Sequence, residues 1–243
     1  TKDSTLALQV GIAASFLGGF IEIIGGIAGR WIVTYVPNAA LMGNMASAGL
    51  VWLSVVGIAM VFDKPVYGLL PMLIIIMDYL GKADKKFQKL PSGLIAIVVG
   101  TVIAWGGGFL TLDNFRLSFA NIGFYPPKPD VFDIVAGFKG LIPFLPVILP
   151  LQINNFLSTL QGLEAAKVAG DAYPERRSMI MDGVSTLTGA LFGSPFPTSV
   201  YFGHPGWKAI DARAGFSVVN AVLYLVLCCT GLTSVLMAAI PTE

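Results

Sequence analysis

Gln152, Asn155 and Thr159 fall at roughly i, i+3 and i+7, so a helix through them carries all three on one face. Asn154, Ser158 and Gln161 widen that face, which places six polar side chains in ten residues of the apolar run Leu141–Leu163. Amide side chains both donate and accept hydrogen bonds, which suits them to the edge of a small polar ligand. Polar residues in such a run also bond neighbouring helices, at about 0.6 kcal/mol each. Six in ten exceed that need, and Asn155 at least is expected to face a ligand.

Three acids lie in or at the ends of apolar runs: Glu22, Asp78 and Asp182. An ionisable residue in that setting is a functional hypothesis by default. Asp78 stands beside the Lys82–Lys89 cluster and belongs at an interface. Glu22, in GGFIEIIGG, and Asp182, in MIMDGVSTLTG, lie deeper; each either carries a proton or bonds a neighbouring helix. His204 is the single histidine and titrates near neutral pH when unperturbed, although a helix cap or a hydrogen-bonded structural histidine is an equal reading. Cys228 and Cys229 are adjacent in an apolar run, which excludes a disulfide framework and the usual zinc spacings. There is no HExxH and no GxSxG, so no enzyme, metal site or cofactor is expected.

The elements that hold these residues follow from composition. The 243 residues are 55% apolar and only 12% charged, about half the charge of a soluble domain. The formal net charge of +1 excludes a nucleic-acid binder that relies on bulk charge. A crossing helix needs about 20 mostly apolar residues. Runs of that kind cover Leu6–Ala28, Ala39–Phe62, Ser92–Leu112, Leu141–Leu163 and Phe216–Ile240, with shorter ones at Val66–Leu80 and Ser178–Ser194. The glycine pairs Gly18-Gly19 and Gly25-Gly26, and the run Gly106–Gly108, are read as close helix packing. Thr1-Lys2-Asp3-Ser4 is not a basic leader and the chain does not begin with Met, so a fragment of something longer is expected.

Cations set the orientation. Arg30, Lys82, Lys85, Lys86, Lys89, Lys167, Arg176, Arg177, Lys208 and Arg213 fall on one, cytoplasmic side only if the stretch Ser194–Arg213 also crosses. Its prolines forbid a continuous helix. Seven extended residues from Pro197 followed by eight helical ones reach roughly 35 Å. Pro205 then opens a half-helix, with His204 as its cap, the alternative being a re-entrant or surface loop rich in Pro and Gly. An all-α polytopic membrane protein of about eight transmembrane segments is therefore expected, one of them broken into a short strand plus a half-helix. Tyr201, Phe202, Gly203 and His204 stand at that break, where half-helix ends hold polar ligands.

The stretch Asp182–Gly206, DGVSTLTGALFGSPFPTSVYFGHPG, resembles spans nine and ten of the nucleobase permeases, the nucleobase–cation symporter-2 and nucleobase-ascorbate families. The preceding LEAAKVAGD is similar to the end of span eight in the purine-permease branch. The resemblance implies a 7+7 inverted-repeat transporter fold of fourteen segments, of which this chain corresponds to segments four to eleven. Residues 1–37 are then a core-domain segment like span four. Residues 38–140 are gate-domain segments like spans five to seven with an extracellular loop, and 141–243 core segments like spans eight to eleven with the substrate site.

It further implies a plasma or inner membrane location and a small-molecule substrate such as a purine, xanthine or uracil. A homodimer and a coupling proton or sodium ion also follow, with no role for nucleic acid. The substrate contacts fall on Asn155, Gln152, Asn154, Thr159, Tyr201, Phe202, Gly203 and His204, and proton coupling on Asp182, Glu22 or His204. The acid that the family places in segment eight, and the acid or Gln usual at the head of segment ten, are replaced here by Asn155 and Gly203. An anion carrier of the same fold, of the sulfate or bicarbonate kind, is the alternative.

Overall fold

Leu6–Gly25 carries Glu22 as its one charge and no proline, so nothing interrupts the helical hydrogen-bond ladder. In the computed structural model it lies within helix α1, Lys2–Tyr35, 34 residues and about 50 Å long. Arg30 therefore stands on α1, and not in a loop after the first run as the sequence had implied. The structure describes residues 2–35, 39–40, 43, 46–47, 49–81, 92–209 and 211–241. Lys82, Lys85, Lys86 and Lys89 lie outside the described residues, as does part of the run Ala39–Phe62.

Among the described residues every regular element is helical, and the chain divides into two compact units. The first comprises residues 1–47 and 127–216. It holds α1, α6 (Val131–Leu141), α7 (Leu145–Val168), α8 (Glu175–Leu191) and the short α9 (His204–Ala209). The 3-10 turn Ile142–Phe144 joins α6 to α7. The stretch read as an extracellular loop up to residue 140 thus contains α6, whose start is fixed by Asp130 accepting from the Asp133 N–H.

Small residues let these helices approach closely. Gly19 of α1 and Gly183 of α8 meet backbone to backbone, and a methyl group on either would press on the other's carbonyl. A methyl on Gly18 would overlap the Gln152 amide, and one on Gly25 the Phe156 ring. Both glycine pairs are packing positions, as read from the sequence. The apolar core groups Phe156, Leu160 and Leu163 of α7 with Met179 of α8, and Ala13 and Ala14 of α1 with Leu141 and Ile148.

The second unit comprises residues 48–126 and 217–243. After a π-helical stretch, Gly49–Val55, come α2 (Val56–Asp63), α3 (Pro65–Gly81), α4 (Ser92–Gly106) and α5 (Leu112–Ser118). The glycine run Gly106–Gly108 is a correction. It ends α4 in a turn with Gly108 at φ +73°, a conformation that favours glycine, and does not serve helix packing. The apolar run Phe216–Ile240 is not one continuous helix. It divides into α10 (Gly215–Thr230) and α11 (Leu232–Ala239), bent by 99°. Gly231 at φ +71° permits the turn, while the Gly123 and Tyr125 N–H groups bond the Thr230 and Cys229 carbonyls at 3.1 and 2.7 Å.

Among the described residues two helical stretches are long and apolar enough to cross a membrane, Ser4–Ile27 and Val131–Val168, and the bent α10–α11 pair makes a third if counted as one span. Gly49–Asp63, Pro65–Asp78 and Ser92–Gly106 are shorter apolar helices. Apolar side chains such as Val218, Val222, Leu223 and Leu225 stand exposed on α10. Length, composition and this outward apolar face together indicate membrane association.

Candidate functional site

α8 ends at Phe192-Gly193, where Gly193 at φ +86° turns the chain and the Ser194 N–H closes onto the Gly189 carbonyl at 2.9 Å. Residues 194–203 then run without helix. No strand ladder forms there, which corrects the expected short strand: side chains, not a neighbouring strand, take up the backbone groups. Pro195 rests on Gly11 of α1, and the Val200 carbonyl on Gly162 of α7. The Thr198 N–H donates to Thr186 Oγ1 of α8 at 3.0 Å, and Asn155 Nδ2 of α7 donates to the Thr198 carbonyl at 2.9 Å. The segment is thereby fastened to three helices at once.

Around Thr198 lies a polar knot in the apolar bundle. Glu22 of α1 is 1% exposed and Asp182 of α8 is 9% exposed. Asn155 Nδ2 donates to Glu22 Oε1, and Thr186 Oγ1 donates to Glu22 Oε2 at 2.9 Å. Thr159 Oγ1 donates to Asp182 Oδ2 at 2.5 Å, and Thr198 Oγ1 to Asp182 Oδ1 at 2.9 Å. Thr186 and Thr198 are themselves 2.8 Å apart, oxygen to oxygen. Among the described residues no Lys, Arg or His pairs with either carboxylate.

A second cluster forms at the head of α9. Asp171 bonds His204 Nε2 at 2.7 Å and Lys208 Nζ at 2.8 Å, and Tyr173 meets the His204 ring edge-on at 5.8 Å. These groups are partly exposed, at 25% for His204, 38% for Asp171 and 42% for Lys208. The Lys208 ammonium, with His204 beside it, holds the Asp171 carboxyl below the usual carboxylate range.

The residues singled out in the sequence thus separate. Asn155, Thr159, Glu22 and Asp182 come together. Gln152 lies one turn away on the same seam, buried against Gly18, and its Oε1 has no hydrogen-bond partner. Asn154 is exposed, its carbonyl taken by Ser158. Tyr201 and Phe202 are exposed, and the Tyr201 ring fills the space over Gly203. His204 is joined to Asp171 and not to the buried acids. Asp78 is exposed on α3.

Three participants went unnoticed. Thr186 stands four residues after Asp182, a signal that helical periodicity carries. Thr198 and Asp171 reach their partners through tertiary folding and leave no such signal.

Two cavities stand apart from the buried acids. One of about 650 Å³ in the second unit is lined mainly by apolar groups such as Ile58, Pro71 and Ile75. The other, about 520 Å³, is lined by Tyr173, Arg176 and Arg177. Neither includes Glu22, Asp182 or Asn155. Compared with known proteins, the chain matches no family profile, no curated protein and no solved structure.

Proposed function

We propose that the chain belongs to a secondary transporter of the nucleobase-permease type, which moves a purine, xanthine, uracil or similar small polar heterocycle. The observation that carries this reading is the extended segment 194–203, fastened by side chains to α1, α7 and α8 beside two buried carboxyl groups. Non-helical backbone among apolar helices survives only where the protein satisfies its N–H and C=O groups, and transporters hold polar ligands at such places. On this reading the chain makes eight crossings, one of them built from the extended segment and α9, as part of a 7+7 inverted repeat in a plasma or inner membrane. Residues 1–37 and 141–243 contribute to the core domain and 38–140 to the gate.

The substrate lies between the polar face of residues 150–163 and the turn 201–206, with Asn155 as its principal contact. Asp182 and Glu22 are the groups that couple a proton, with His204, tied to Asp171, a third; a sodium ion is the other coupling ion, and a homodimer the assembly. An anion carrier of the same fold is the weaker reading, because Asp171 sits at the head of α9 and the Glu22 carboxyl bonds Asn155. Uptake of labelled xanthine or uracil is measured beside uptake of labelled sulfate in proteoliposomes. Saturable uptake of a base supports the reading; saturable sulfate uptake alone contradicts it.

A further inference from the structure

Three oxygen–oxygen contacts run in series through the buried knot. Glu22 Oε2 is 2.9 Å from Thr186 Oγ1, Thr186 Oγ1 is 2.8 Å from Thr198 Oγ1, and Thr198 Oγ1 is 2.9 Å from Asp182 Oδ1. Each threonine hydroxyl brings one hydrogen, so two hydrogens serve three contacts. The neighbours have none to lend. One Asn155 N–H goes to Glu22 Oε1 and the other to the Thr198 carbonyl, while the Thr159 hydroxyl goes to Asp182 Oδ2. The Thr198 N–H is spent on Thr186 Oγ1. The Asp182 carbonyl, 3.1 Å from Thr198 Oγ1, adds an acceptor and no hydrogen. With both carboxyls ionised, one contact sets lone pair against lone pair, a costly arrangement inside a protein.

Gln152, 6% exposed and one turn from Asn155 on α7, has an amide oxygen that meets no donor. Asp182 is the one titratable group in the knot with Glu22 among the described residues, and the other members are neutral. α7 presents Asn155 and Thr159, α8 presents Asp182 and Thr186, and the extended segment presents Thr198. α6 packs on the other end of α1, where its Asp133 bonds Gln9 at 2.8 Å.

We propose that Glu22 and Asp182 hold one proton between them, which the Thr186 and Thr198 hydroxyls pass from one carboxyl to the other. In one state Glu22 Oε2 carries the proton and donates to Thr186, Thr186 donates to Thr198, and Thr198 donates to ionised Asp182. Transfer moves the Glu22 hydrogen to Thr186, the Thr186 hydrogen to Thr198, and the Thr198 hydrogen to Asp182 Oδ1. Glu22 becomes the carboxylate, Asp182 the acid, and both hydroxyls are intact. Thr198 is the exposed member of the series, so exchange with the outside passes through it. In the transporter proposed above this is the coupling proton; its presence does not depend on that reading.

Infrared spectroscopy of the full chain in lipid nanodiscs tests this without any substrate. The carbonyl stretch of protonated carboxyls is quantified at neutral pH, and its exchange is timed after transfer to D2O. One such carboxyl per chain is expected from this site, and either Glu22→Gln or Asp182→Asn alone removes it, since the new amide N–H supplies the third hydrogen. Thr198→Val also removes the signal, because Thr186 then donates to Glu22 and no contact is left short of a hydrogen; Thr198→Ser, which keeps the hydroxyl, keeps both the signal and its rate of exchange. A count of zero or two from this pair, a signal that survives either acid variant, or a signal that persists in a folded Thr198→Val protein overturns the proposal. Because no substrate is present, failure here leaves the uptake measurement to judge the transport reading separately.

Discussion

The buried knot at Glu22 and Asp182 and the cluster around Asp171 are built from similar groups and differ in almost every physical respect. Asp171 faces solvent between His204 and Lys208, so its charge is matched and screened. Glu22 and Asp182 are shut away with each other, with hydroxyls and an amide in place of cations. An exposed matched pair adds little to stability and fixes a local geometry. Buried carboxyls without a cation are expensive, which is why they are rare except where their titration is used. Histidine, the residue that draws attention in the sequence, sits in the inexpensive cluster. Threonine, which draws none, joins the costly one.

Breaking the knot has the largest expected effect. Thr186→Val removes the partner of Glu22 Oε2, of the Thr198 N–H and of the Thr198 hydroxyl at once, at a fully buried position. A loss of roughly 3 kcal/mol follows from leaving such groups unsatisfied. It is read as a lowered unfolding midpoint in detergent. The next effect acts on the packing that brings α1 and α8 together. Gly183→Val drives a side chain into the Gly19 carbonyl and Ile23, and costs about 1–3 kcal/mol by overpacking. The same midpoint measures it, and the partner position Gly19→Val is expected to behave alike.

The Asp171 cluster gives the smallest effect. Asp171→Asn leaves the unfolding midpoint nearly unchanged and raises hydrogen exchange only at residues 204–209. Its pH dependence has a definite sign. The folded-state pKa is lowered from 3.8, so the contribution is fully present above 3.8 and is lost as pH falls through the lowered value. Acidification from neutral pH to about 4 therefore leaves the protection of α9 intact, and further acidification removes it. If Asp171→Asn proved as damaging as Thr186→Val, the contrast between the two regions would collapse.

The legible part of this architecture was the part written in periodicity and composition. Asn155 and Thr159 stood on a polar face within an apolar run, and the glycine pairs of α1 stood at helical spacing. The bend at Gly231 was concealed because one glycine among apolar residues costs only about 1 kcal/mol in a helix, too little to mark a break. What fixes it is tertiary: N–H groups from residues 123 and 125 reach the end of α10. α6 was hidden by Asp133 and Lys139, which dilute its apolar face, although Asp130 offered a cap. Thr198 lay beyond any local pattern, since its partners Thr186 and Asn155 come from two separate helices.

The most direct test of the central assignment is calorimetric titration of xanthine and uracil into the full chain, run in two buffers of different ionisation enthalpy so that protons are counted with binding. The account predicts saturable binding of a base with proton exchange, abolished by Asn155→Ala and kept by Asp171→Asn. No binding of either base, or binding lost in Asp171→Asn and kept in Asn155→Ala, would contradict it.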